Sequence, residues 1–384
     1  MNWTPLPFGA TLADYEAQAA TLLDAWRAGD PDAALFFRHR HPRFLRDDVP
    51  WLPKPLTADD ILRTPLDADD ARLAIARAYV FLDWASLATL VAAVLEPTSP
   101  VARFEAAVEA VIDGDLRTLR AALDADPTLA RARSTRVCPF DPPAHRATLL
   151  HYVAANGVEG YRQRTPPNAV DIARCLLDAG ADPDALADLY GGQCTSLSML
   201  VSSDHPARAG VQIALVELLA DRGATLAPLG TGRWQCPVRT ALVFGFGEAA
   251  QALVRLGAPV GTLPLAAGLG RVEDVRRLLP AASAEARHEA LALAVQAGEA
   301  DALRVLLDAG EDAGRYNPDG FHSHATPLHQ AVASGQPAIV QLLVDRGAPL
   351  DVRDRHHDAT PLDWAEYLGQ REAAAILRDA RTRS

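Results

Sequence analysis

A chain of 384 residues is long for one hydrophobic core, so it is either two or three domains or an array of repeats. With 49% hydrophobic and 22% charged residues, wholesale disorder is excluded. A formal charge of −12 argues against nucleic acid or an anionic membrane surface as the main partner, because both need a dense Lys/Arg face.

The amino terminus, MNWTPLPFGATLADYEAQ, lacks the basic region and long apolar stretch of a secretory signal. Residues 10–28 place Leu12, Tyr15, Ala19, Leu22, Leu23 and Trp26 at helical spacing, and a second helix follows around 31–41. A proline-rich connector, DDVPWLPKPLT, leads to Thr57, which with the following ADD reads as a helix start. The stretch DADDARLAIARAYVFLDWASLATLVAAVL reads as two helices broken near Phe81 to Trp84. Its most apolar run, at 85–95, is too short to span a bilayer, so a cytoplasmic protein is expected. Cys138, Cys175, Cys194 and Cys236 have neither metal-type spacing nor disulfide-scaffold density, and reduced thiols are expected.

From about residue 101 the chain repeats itself. TPLHQAVASGQPAIVQLLVDRGA and TPLDWAEYLGQREAAAILRDA set Thr326 and Thr360 34 residues apart. Thr326 is a helix N-cap, and Pro327 takes the first helical position, where a missing N–H costs nothing. Ala331 and Ala333 keep that helix slim and Gly335 ends it. A second helix buries Ile339, Val340, Leu342 and Leu343, and Gly347 closes it in the left-handed conformation.

This pattern resembles the ankyrin repeat nearly position by position, and residues 1–100 resemble the helical leader ahead of bacterial ankyrin arrays. The resemblance implies a β-turn finger followed by two antiparallel helices, hence an all-α, ankyrin-repeat solenoid. Aligning the inner-helix glycine and the apolar pair of the second helix gives about eight repeats over 101–384, capped by the helical subdomain 1–100. Repeats 1, 4, 5 and 6 have lost the T-P-L-H signature, as in CPVR at 236–239. A continuous solenoid with negligible strand content is expected.

Twelve residues separate Gly335 from Gly347 but 23 separate Gly157 from Gly180, so repeat 2 carries eleven inserted residues. The interval from Asp204 to Gly223 is 19, an insertion of seven in repeat 3. These segments, VEGYRQRTPPN and HPARAGVQ, offer Tyr161, Arg162, Arg164, His205 and Arg208 to a partner, with a merely decorated loop as the alternative. Expanded fingers at 186–194, 226–236 and 311–325 place Tyr190, Trp234, Tyr316 and Phe321 near hairpin tips. The two positions before the inner-helix glycine face the groove in ankyrin folds. Here they include Val243-Phe244 and Tyr367-Leu368, so an apolar groove that includes Phe244 and Phe246 is expected unless these rings pack between repeats.

No catalytic motif is complete. GFGEAA at 245–250 fits G-x-G-x-x-A but joins two helices, and HEALA at 288–292 has Ala292 where a zinc helix needs histidine. No catalytic residue, cofactor or metal is expected. The favoured function is a monomeric, non-catalytic scaffold for a protein partner. One alternative is a small-molecule or enzymatic pocket using Asp204, His205 and Arg162, and another is a structural or inhibitory module whose leader makes the contacts. His322 and His324 alternate along a finger strand and point the same way, and a spacing of 34 brings His356 to the equivalent place beside His357. Adjacent fingers would thus share a histidine patch. For His329, the fourth residue of T-P-L-H, the resemblance implies hydrogen bonds to the threonine and nearby backbone.

Overall fold

The computed structural model describes residues 3–383. They form two compact units: residues up to 224 together with 230–232, and residues 225–229 together with 233 onward.

The first unit opens with helices Leu12–Arg27, Pro31–Arg40, Ala58–Leu62, Ala68–Ala78 and Trp84–Val94. Thr57 with Asp60, and Asp67 with Asp70, form reciprocal capping boxes that satisfy the first free N–H groups of two of them. Leu22, Phe37, Ile61, Ile75 and Leu87 form the core of this segment. Tyr79 is buried at its edge, with Trp3, Tyr15 and Tyr161 each presenting a ring edge-on. The break between the last two helices comes at Val80, whose φ of 62° is left-handed, and Asp83 restarts the helix by accepting the Ser86 N–H at 2.8 Å.

Three helix pairs complete this unit: Pro100–Asp113 with Leu116–Ala125, Leu149–Ala154 with Ala169–Asp178, and Ser196–Leu200 with Gln212–Asp221. The finger before the third pair is more ordered than the negligible strand content expected. Leu186–Leu189 pairs antiparallel with Gly192–Thr195 across a two-residue turn. Tyr190 and Gly191 have φ of 53° and 74°, the positive pair that a right-handed hairpin twist demands. Neighbouring fingers are joined through backbone. Asp188 N–H donates to His145 O at 2.8 Å, and Gln193 and Thr231 exchange two hydrogen bonds of 3.1 Å. Gly192 permits the second contact, because a Cβ there would lie 2.3 Å from Thr231 O.

The second unit contains five helix pairs, from Pro237–Val243 with Gly247–Arg255 to Pro361–Tyr367 with Arg371–Arg383. Its core passes from Leu263 and Val275 through Leu291, Leu303, Leu328 and Leu343 to Leu377, so each pair shares apolar surface with the next. Thr360 caps the last inner helix by accepting Asp363 N–H at 3.2 Å. The fold class is all-α, the hairpin being a small addition. Among the described residues, no helix is long and apolar enough to cross a membrane.

Gly347 has φ of 78° and open space where a Cβ would stand, so a side chain there meets backbone strain but no clash. Leu342 lies in the shared core. In urea unfolding, Leu342→Ala is expected to cost about 2–5 kcal/mol through its cavity and Gly347→Val about 1–3 kcal/mol through strain.

Candidate functional site

The insert at 158–168 turns inward. Arg162, expected on a solvent-facing loop, is buried, with its guanidinium 2.6 Å from Glu105, 2.9 Å from Glu109 and 4.0 Å from Glu159. Arg136, from the preceding finger, lies 3.3 Å from both Glu105 and Glu159. His145 and Tyr152 also reach Glu159 Oε1, at 3.1 and 3.3 Å. Tyr161 stacks edge-on against Tyr79, and Arg136 lies over Phe81 at 4.7 Å. The loop looked solvated because it is cationic. Its charge instead matches Glu105, which sits among Phe104, Val108 and Val111 on the helix Pro100–Asp113, whose core-facing side it shares. An acid embedded in that apolar pattern was the one signal in the sequence.

Burial alone would raise both carboxyls, but Arg136 and the other cations outweigh it and hold Glu105 and Glu159 below the ordinary range. Cys138, His145 and Glu159 bring potential metal-ligating atoms within 4.8 Å of one another. Their chemistry does not fit an ion. His145 Nδ1 accepts the Ala147 N–H at 3.1 Å, so the proton of the neutral ring is on Nε2 and points at Glu159. Glu159 Oε1 is further engaged by Tyr152 and Arg136, and burial pushes the Cys138 thiol up to about 12. A dication would also stand beside two guanidiniums. The set is a hydrogen-bond hub.

Two histidines act as helix caps. His151 Nδ1 faces the Thr148 N–H and hydroxyl at 3.2 and 2.9 Å, and its Nε2–H donates to Cys194 O at 3.2 Å. His329 repeats this with Thr326 and Ala359 O, at 3.3, 2.8 and 3.0 Å. Each ring must be neutral, because a proton on Nδ1 would face a backbone N–H. Burial accordingly lowers His151 to about 4.

The remaining candidate residues separate into exposed and supporting groups. Arg164 is half-exposed and pairs with Asp113 at 2.7 Å. The second insert forms the short helix Asp204–Arg208, on which Arg208 pairs with Asp204 at 2.6 Å and His205 is exposed. With Arg162 committed to buried acids, Asp204, His205 and Arg162 do not assemble into one pocket. One small cavity, of about 10 Å³ among Leu150, Ser196 and Leu215, has room for about one water.

Tyr190 is exposed at its hairpin tip and donates to Asn156 Oδ1 at 2.7 Å. In the second unit the rings of Trp234 and Phe244 are 5.1 Å apart, with Phe244 45% exposed and Phe246 half-buried. Phe321, expected near a finger tip, is buried beneath the Arg239 guanidinium at 4.7 Å. Tyr316 lies against the Arg355 guanidinium at 4.0 Å and donates to Arg353 O at 2.7 Å. His324 stacks on His356 at 4.1 Å, with His322 edge-on to His324 at 5.9 Å. Tyr367 is 92% exposed beside the exposed Leu368.

Residues 237–354 and 291–383 match the family model described as Ankyrin repeats (3 copies). Residues 237–383 thus carry ankyrin repeats. It is 38% identical over 82 residues to mouse Ankyrin repeat and SOCS box protein 6, covering 21% of this chain and 19% of that protein. It is 32% identical over 211 residues to E3 ubiquitin-protein ligase KEG of Arabidopsis thaliana, covering 49% of this chain and 12% of the ligase. With Potassium channel GORK of the same plant it shares 33% identity over 92 residues, 24% of this chain and 10% of the channel. The matches thus span under a fifth of these relatives' length. The crystal structure of the human ASB11 ankyrin repeat domain aligns with a TM-score of 0.36 at 18% identity, covering 71% of this chain and 96% of that one.

Arg162→Ala leaves Glu105 and Glu159 under-compensated and is expected to cost about 3–5 kcal/mol, whereas Arg164→Ala at the half-exposed pair should cost under about 1 kcal/mol. Urea titrations of both variants test the contrast. The pH dependence has a definite sign. His151 is lowered from 6.5, so its contribution is full above 6.5 and lost as the pH falls toward about 4. Glu159 is lowered from 4.5, so its contribution is lost only below that value. Midpoints measured from pH 7 to 3 should fall throughout, and Glu159→Gln should flatten only the lower part.

Proposed function

We propose that this chain is a non-catalytic protein-binding module that recognises its partner through exposed aromatic side chains of the array. Ankyrin repeats generally mediate protein–protein interaction. The observation that carries the reading here is positional. Phe244 and Tyr367-Leu368 immediately precede the inner-helix glycines Gly245 and Gly369, and all three side chains are exposed in the same unit. A solvated tyrosine and phenylalanine at equivalent turns are the amphipathic anchors that a partner surface covers.

Trp234 buttresses Phe244, and Arg239 and Phe321 support that finger from beneath. Tyr190, His205 and Arg208 are the corresponding exposed candidates of the first unit. Arg162 and Tyr161 serve it by holding their loop in place. The 1–100 leader is assigned as a cap, supported by an apolar cluster that extends to Val101 and Tyr161. Ubiquitin ligation and potassium conduction belong to relatives whose length this chain covers by 12% and 10%, and neither is assigned to it.

Affinity capture from the native host with wild type and with Phe244→Ser plus Tyr367→Ser tests the reading. Wild type should retain a partner that the double variant loses about tenfold or more, with melting temperatures within about 2 °C of each other. Equal capture would place the binding surface elsewhere.

A further inference from the structure

A line of side-chain amides joins the two exposed aromatic turns of the second unit. Gln296 Oε1 accepts from Gln330 Nε2 and, at 3.3 Å, from the Ser334 hydroxyl, while Gln336 Nε2 donates to the Gln296 carbonyl at 3.0 Å. The amides reach across bare glycines. A Cβ on Gly245, the residue after Phe244, would lie 3.1 Å from Gln296 Nε2, and one on Gly335 would lie 3.2 Å from Gln370 Nε2. Gln370 itself follows Tyr367, Leu368 and Gly369. The line therefore runs from the Phe244 turn through Gln296, Gln330 and Gln370 to the Tyr367 turn.

Its hydrogen-bonding capacity is only partly used. Each side-chain amide offers two N–H groups and one acceptor oxygen. Among the described residues, Gln296 Nε2 donates to no protein atom, Gln330 Oε1 accepts from none, and the Gln370 amide is engaged at neither end. Gln296 and Gln370 are half-buried, so these groups stay within reach of a ligand. The line is also uncharged. Neither of the two residues before any of the glycines Gly245, Gly270, Gly298, Gly335 and Gly369 carries a charge. The ionic groups beside them are balanced: Glu366 pairs with Arg378 at 2.7 Å, Arg239 with Glu289, and Arg271 and Glu299, one of each sign, follow their glycines.

We propose that this line reads the main chain of an extended, uncharged segment of the partner, whose apolar ends cover Phe244 and Tyr367-Leu368. A side-chain amide is the same group as a peptide bond, and an extended strand offers it unpaired N–H and C=O groups along one edge. A helical segment offers neither, since its amides bond to one another. Charged residues are disfavoured at the centre of the segment, because they would lose water there without gaining a counter-charge. Inner helices roughly 8–10 Å apart make four steps from Pro237–Val243 to Pro361–Tyr367, the reach of about ten residues of extended chain at ~3.3 Å each. For its two ends this rests on the protein-binding reading above, whereas the main-chain contacts rest on the amides.

The test selects random phage-displayed peptides of about twelve residues on the whole chain, then synthesises an enriched peptide plain and with single backbone N-methyl groups. Enriched sequences should lack Asp, Glu, Lys and Arg at their centre. N-methylation of a central amide should weaken binding about tenfold or more, and alanine at the same residue under about twofold. The Kd should change less than about twofold between roughly 50 and 500 mM NaCl. Gln296→Met and Gln370→Met should each weaken binding about fivefold or more, with melting temperatures within about 2 °C of wild type. If Gln296→Met does not fold, Gln370→Met decides alone, because its side chain makes no hydrogen bond with the described residues. Failure to enrich any peptide, charged central residues, strong salt dependence, tolerance of every N-methyl group, or wild-type binding by Gln370→Met overturns the proposal. The Phe244→Ser plus Tyr367→Ser variant separates the two readings. If it binds the peptide like wild type while the glutamine variants lose it, the aromatic anchors fall and the main-chain reading stands; loss in the aromatic variant alone means the reverse.

Discussion

Two carboxylates withdrawn from water, Glu105 and Glu159, set the terms for the first unit. A buried carboxylate without a partner costs several kcal/mol, so neither can be placed until Arg136 and Arg162 arrive. Those cations come from different segments, a finger and an insert, while Tyr79, Phe81 and Tyr161 cover them. Helix, finger, insert and leader therefore order together. The arrangement is not tuned for maximal stability: Glu105 Oε1, Arg136 Nη1, Glu159 Oε2 and Arg162 Nε make no hydrogen bond among the described residues. Its value is positional, since an apolar substitute would pack without requiring these four segments to meet in one way.

The same logic governs the histidine caps. A neutral imidazole accepts at one nitrogen and donates at the other, so His151 and His329 each tie a helix start to a carbonyl of the following finger. In the last pair Asp363 takes the capping place, accepting the Thr360 N–H and hydroxyl at 2.8 Å each, and as a carboxylate it can only accept.

What could be read from the sequence was what repeats. The spacing of Thr326, Gly335 and Gly347 describes one helix pair, and its 34-residue recurrence describes the next. The leader helices were likewise visible in their apolar spacing and in Thr57, which caps as short polar residues do. Arg162 was misread for an understandable physical reason. Composition alone makes a proline- and arginine-containing insert look solvated, and only the distant Glu105 and Glu159 turn it inward. Phe321 failed similarly, because Arg239, 82 positions earlier, provides its cover. The period foreshadowed a histidine patch shared by successive fingers but paired His322 with His356, whereas His322 turns away at a left-handed φ of 58° and His324 is the ring that stacks on His356. Period and pattern carry local geometry; charge pairing across long separations does not announce itself.

The backbone bonds between neighbouring fingers have a consequence for how such a chain can be cut or lengthened. The hairpin at 186–195 would by itself present two bare strand edges, the usual template for self-association. His145 O occupies one of them through Asp188, and Thr231 occupies the other through Gln193. Each finger is thus the edge guard of its neighbour. A truncation that removes a finger while keeping the helices on either side would leave the helical core intact yet open a sticky flank, so viable boundaries fall where guard and guarded strand leave together.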